Sequence, residues 1–127
     1  MKAIEMRRWT REEYDRMIAA HFFAPGERVE LIEGDILQMT PQGSAHFTAV
    51  RLAEDALRRA FGAGFDVRAQ GPLGISPTSE PEPDIAVVRG SPRDYRDVHP
   101  TTAVLIVEVA DTSLEYDRQR KCSLYGA

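Results

Sequence analysis

Apolar and polar positions along the chain repeat with two different periods, and the switches between them divide it into elements. Tyr14, Met17 and Ile18 fall at helical spacing behind Thr10. With Glu13 three residues on, Thr10 forms a capping box, which predicts a first helix over residues 10–20. Ala24-Pro25-Gly26-Glu27 ends that pattern. Val29–Ile32 and Ile36–Met39 then read as two strands of a hairpin joined through Glu33-Gly34-Asp35. Phe47, Val50, Ala53, Leu57, Ala60 and Phe61 return to the helical period, which predicts a second helix over residues 45–61 closed by Gly62. Phe65, Val67 and Ala69 alternate with polar residues as in a half-buried strand, and residues 71–77 are irregular. The runs Ile85–Val88 and Ala103–Ala110 do not alternate fully, so both are expected as central strands covered on two faces. Thr112 or Ser113 caps a last helix over residues 114–125. This order predicts one mixed α/β domain spanning residues 1–127, without repeats or linkers.

Composition narrows the setting. A chain of 127 residues with 43% hydrophobic and 28% charged residues can bury a core. No apolar run approaches the roughly 20 residues that span a bilayer, and the first residues form no signal peptide. The single Cys122 excludes an internal disulfide and suits a reducing, cytoplasmic location, where it reads as a small buried hydrophobe. The net charge of -4 provides no general nucleic-acid footprint. Arginines cluster at Arg58-Arg59, between Arg89 and Arg96, and from Arg118 to Lys121, a pattern that by itself describes solvated faces. A metal-using enzyme nevertheless concentrates carboxylates, and a bound cation reverses the local sign.

The candidate chemistry lies in the two apolar runs. Glu108 interrupts Val104-Leu105-Ile106-Val107-Glu108-Val109-Ala110, where a carboxylate is costly unless paired or bound to metal. Asp84 follows Pro83 at the head of the other run. Read alone, each has a bland explanation as a paired strand residue or a turn aspartate. Acids on two adjacent strands can instead meet in one concavity, which suits Mg²⁺ or Mn²⁺. Asp117, Lys121 and Tyr125 share one face of the last helix, so Lys121 either pairs with Asp117 on the surface or reaches the acids. Alternation with Val29 and Leu31 turns Glu30 to the opposite face, for which solvent exposure is the default. His46 reads as a cap or surface residue, or as a contact to phosphate or water.

Together these stretches resemble the Uma-type family of restriction-endonuclease-like proteins, a bacterial branch of the PD-(D/E)XK nuclease superfamily. The matching text is Trp9-Thr10 with Glu12, Glu13 and Tyr14, then Val29-Glu30-Leu31-Ile32-Glu33-Gly34-Asp35-Ile36, then Pro41 and His46. It continues with Pro83-Asp84-Ile85, Val107-Glu108-Val109, Thr112-Ser113 and the Asp117, Lys121, Tyr125 helix. The resemblance implies a restriction-endonuclease-like mixed sheet flanked by helices and a metal-dependent endonuclease acting on DNA. It implies Asp84 and Glu108 as Mg²⁺ or Mn²⁺ ligands, with the Val109 carbonyl as an extra ligand, Lys121 as catalytic lysine and Glu30 as a further acid. The superfamily places its lysine two residues after the glutamate, where this chain has Ala110; in the Uma-type branch that lysine sits on the following helix, at the position of Lys121. Such proteins continue past this helix into another core strand, so the domain is expected to be incomplete at its C-terminus and to associate with a second copy, as a dimer. The rival expectation is an inactive remnant of the fold that binds DNA or protein.

Overall fold

The computed structural model describes residues 3–109, 121 and 123–126. Helix α1 (Arg11–Ala19) begins as the capping box requires: the Glu13 N–H donates to Thr10 Oγ1 at 3.1 Å, and the Thr10 N–H donates to Glu13 Oε1 at 3.0 Å. Strands β1 (Val29–Ile32) and β2 (Asp35–Gln38) form an antiparallel hairpin in which Ile32 faces Asp35. The connection is thus Glu33-Gly34 alone, one residue shorter than the predicted loop. Both residues have positive φ, 48° and 84°, as a two-residue primed turn requires. At Gly34 a Cβ would come within 2.5 Å of the Arg8 side chain, so glycine is needed there for space as well as for φ.

Helix α2 (Ser44–Phe61) follows, and then a three-stranded antiparallel sheet of β3 (Phe65–Ala69), β4 (Ile85–Arg89) and β5 (Leu105–Val107) in the order β3-β4-β5. Val50 packs with Val67, Ile85 and Val87, joined by Ala53, Leu57 and Phe61. Phe47 and Ala60 do not join them. Both are exposed, Phe47 by 65%. A second cluster places Tyr14 of α1 on Val29 and Leu31 of β1.

The two apolar runs behave differently. Strand β4 is central and buried, as expected. Strand β5 is the outer strand of this sheet among the described residues, and Val104 and Leu105 are 42% and 38% exposed, so that run is not covered on both faces. The predicted last helix lies mostly outside the described residues, along with its caps Thr112 and Ser113 and with Asp117 and Cys122. Lys121 and residues 123–125 are helical. The arginines behave as solvated faces where they are described: Arg58 pairs with Glu54 at 2.7 Å, and Arg96 lies 4.0 Å from Asp97 with both side chains open.

One extended stretch joins the sheets. In Glu80-Pro81-Glu82-Pro83-Asp84 the prolines supply no donors, and both are fully buried. Glu80 bridges the edge of β1 through the bonds Glu80 N–H to Leu31 O (2.8 Å) and Leu31 N–H to Glu80 O (3.3 Å). The stretch then runs directly into β4. Leu31 is fully buried at this junction. Truncation in Leu31→Ala should lower unfolding stability by about 2–5 kcal/mol in urea titrations, with an unchanged denaturant slope. A loss below about 1 kcal/mol would mean the junction is not part of the core.

Candidate active site

The β4–β5 register pairs Ile85 with Val107. Asp84 and Glu108 lie one residue beyond that last pair on their two segments, and their carboxyls are close enough to interact. Asp84 is held on both oxygens. Its Oδ2 accepts the Val109 N–H at 2.7 Å, and its Oδ1 lies 3.2 Å from His46 Nε2. His46 is therefore neither a simple cap nor a surface residue, because the first turn of α2 aims its ring at Asp84. The His46 Nδ1 is buried and has no hydrogen-bond partner among the described residues.

Glu108 Oε1 is 3.0 Å from Lys121 Nζ and accepts the Tyr125 hydroxyl at 3.2 Å. Lys121 also lies 3.2 Å from Glu30 Oε1, which accepts the Glu82 N–H at 3.0 Å. The expectation of an exposed Glu30 is overturned: the residue is 3% exposed. Alternation does turn it away from Tyr14, but that second face of β1 is covered by the Glu82 stretch and by Lys121. Asp84, Glu108, Lys121 and Glu30 thus form one connected constellation, drawn from the head of β4, the end of β5, the last helix and β1.

The electrostatics of this group are unbalanced. Burial pushes the Glu108 carboxyl above its ordinary value, Lys121 pulls it down, and Asp84 pushes it up again, with a net upward shift. Burial alone would lower the Lys121 amine, but Glu30 and Glu108 outweigh it and hold the lysine charged. One lysine thus serves two carboxylates while Asp84 lies close to Glu108. Like charges held close together repel. A divalent cation between them relieves that repulsion, and two carboxylates on one side of an octahedral ion are what Mg²⁺ requires of a protein. The residues therefore fit a hard divalent ion, with Asp84 and Glu108 as the pair that would hold it.

A match to a known family accords with this geometry. The family model Uma2, described as "Putative restriction endonuclease", matches residues 11–127. The chain belongs to the Uma2 family. Its mixed α/β architecture is accordingly of the restriction-endonuclease-like kind, and the family points to nuclease activity. No curated protein matches the sequence. No helix among the described residues is long and apolar enough to cross a membrane.

Two further acids, on the stretch before β4, escaped sequence reasoning. Glu82 lies 4.0 Å from Arg28, and its carboxyl is pushed up to about 7, chiefly by burial, with Arg28 opposing and Glu30 adding to the shift. Glu80 is raised to about 8 by burial first and by Asp15 next. The available signal was the alternation itself: an extended Glu-Pro-Glu-Pro-Asp places three acids at every second position.

These shifts fix a pH dependence. Both carboxyls keep protons in the folded chain at pH values where the unfolded chain has lost them. Their contribution to stability is therefore full below about 4.5 and is lost as pH rises through about 7 for Glu82 and about 8 for Glu80. In chelator-containing buffer, the variants E82Q and E80Q should each flatten the fall in Tm across this range. An unchanged slope in both variants would contradict the burial of these acids.

Proposed function

We propose that this Uma2 protein is a metal-dependent endonuclease that hydrolyses DNA phosphodiester bonds. The observation that carries the reading is the meeting of the Asp84 and Glu108 carboxyls just past the last β4–β5 pair, with Lys121 3.0 Å from Glu108. Asp84 and Glu108 would hold Mg²⁺ or Mn²⁺, with the Val109 carbonyl as an extra ligand. When bound, such an ion activates water and offsets charge on the phosphoryl oxygens.

The chain's own residues then divide the remaining work. The Lys121 ammonium stands beside the carboxylate pair and can donate to a phosphate oxygen or orient a nucleophilic water, supplying positive charge where negative charge develops. Glu30 acts behind it. Anchored by the Glu82 N–H, Glu30 fixes the amine's direction, and we read it as a positioning residue for Lys121. Tyr125 and the Val109 N–H hold Glu108 and Asp84 in single orientations, so little reorganisation is left to the reaction. The negative net charge is consistent with a protein whose cationic character at the site is supplied by the ion.

Supercoiled plasmid incubated with the purified chain and Mn²⁺ or Mg²⁺ should be nicked or linearised. D84N and E108Q should each lower the rate by about a hundredfold or more, and K121M by a similar factor, with far-UV spectra unchanged. Cleavage persisting undiminished in D84N or E108Q would overturn the assignment.

A further inference from the structure

A second group of potential ligands lies away from the Asp84–Glu108 pair. Asp15 on α1, Glu80 on the extended stretch and His99 in the loop before β5 bring one donor atom each within 4.8 Å of one another. They line a cleft of about 640 Å³ whose wall also includes Arg11, Tyr14 and Thr101. Glu82 lines it as well, whereas Asp84, Glu108 and Lys121 do not.

The frame around this group is fixed by backbone bonds. The Arg11 N–H donates to Pro77 O at 2.7 Å, which sets the start of α1 against the stretch that carries Glu80. Arg11 Nη1 donates to Gly74 O at 2.9 Å, and the Gly74 N–H donates to Pro100 O at 2.8 Å, which ties in the loop bearing His99. Three separate segments are thereby stitched together with their ligand-type side chains converging on the cleft.

Glu80 is only 2% exposed, yet the neighbour that hydrogen-bonds its carboxyl is Asp15, another acid. With Glu80 raised to about 8, the two acids share a proton between them, and a divalent cation can take that proton's place. Arg11 contributes a partial offset, but its Nη1 is engaged by Gly74. His99 is shifted the other way. Burial pulls its pKa below the ordinary value, with Asp15 opposing, so the imidazole is neutral near pH 7 and has a lone pair to offer.

We propose that Asp15, Glu80 and His99 form a second metal site, one that takes a divalent transition-metal ion and is separate from the Asp84–Glu108 pair. One imidazole nitrogen and two carboxylate oxygens suit Zn²⁺, Co²⁺ or Fe²⁺ rather than Mg²⁺, and the open cleft leaves room for water at the remaining positions. The ion would clamp α1, the extended stretch and the loop before β5 to one another. It would stabilise the fold in proportion to its free concentration, independently of any nuclease activity.

The test uses the full chain carrying D84N and E108Q, which silences the other candidate site. Calorimetric titration with Zn²⁺ near pH 7.5 should show one bound ion, and Zn²⁺ should raise Tm. Adding H99A or D15N, both at exposed positions and so compatible with folding, should weaken binding by at least about tenfold and remove the Tm increase. With Co²⁺ as the probe, H99A should abolish the visible absorption that reports nitrogen ligation. Zn²⁺ affinity unchanged by both H99A and D15N, or no binding by the parent, would overturn the proposal.

Discussion

Two acids, Asp84 and Glu108, brought together just beyond the end of a β-ladder are the constraint on which the rest of this structure turns. Neighbouring carboxylates repel each other in water, and burial makes the repulsion harder to screen. Here the surroundings supply partial compensation from several elements. The Val109 N–H and His46 engage Asp84, while Lys121 and Tyr125 engage Glu108. The compensation stops short of neutrality, because Glu108 still has its pKa raised. A fold built only for stability would not keep such a pair, since replacing buried ionic groups with apolar ones is often neutral or favourable. Glu108 shares Lys121 with Glu30, so the Asp84–Glu108 pair has no lysine to itself, and the proposed cation would supply the missing charge.

The strain extends through a chain of contacts. Lys121 joins Glu108 to Glu30, Glu30 takes the Glu82 N–H, and the Glu82 carboxylate approaches Arg28. These residues come from β1, the extended stretch before β4, the end of β5 and the last helix. The same contacts that order the site therefore also lock the hairpin to the three-stranded sheet. Removing any member leaves a neighbour buried without its counter-charge, so positioning and stability are coupled in this protein.

Much of this was legible before the structure. Element order and boundaries follow from local periodicity, because α1, the hairpin, α2 and β4 each satisfy their own pattern of capping, turn chemistry and burial. Asp84 and Glu108 stood out as charges in apolar runs. Glu30 did not, because alternation reveals which face a side chain takes but not what covers that face; the cover comes from Glu82 and Lys121, both far along the chain. His46 was similarly obscured, since its partner at the head of β4 is reached only after the rest of α2 and β3. Leu105 misled in the opposite direction: an apolar run marks a strand, whereas its place at the edge of a sheet depends on strand order. Glu80, Glu82, Asp15 and His99 were missed because their significance lies in convergence, which no single segment displays.

The most direct test of the central claim is anomalous diffraction from crystals of the chain soaked in Mn²⁺. The account predicts a peak within coordination distance of both the Asp84 and the Glu108 carboxylates, with the Lys121 amine directed toward the same space and the peak lost in D84N. Contradiction would come as carboxylates closed onto His46 and Lys121 with no manganese density between them at saturating ion.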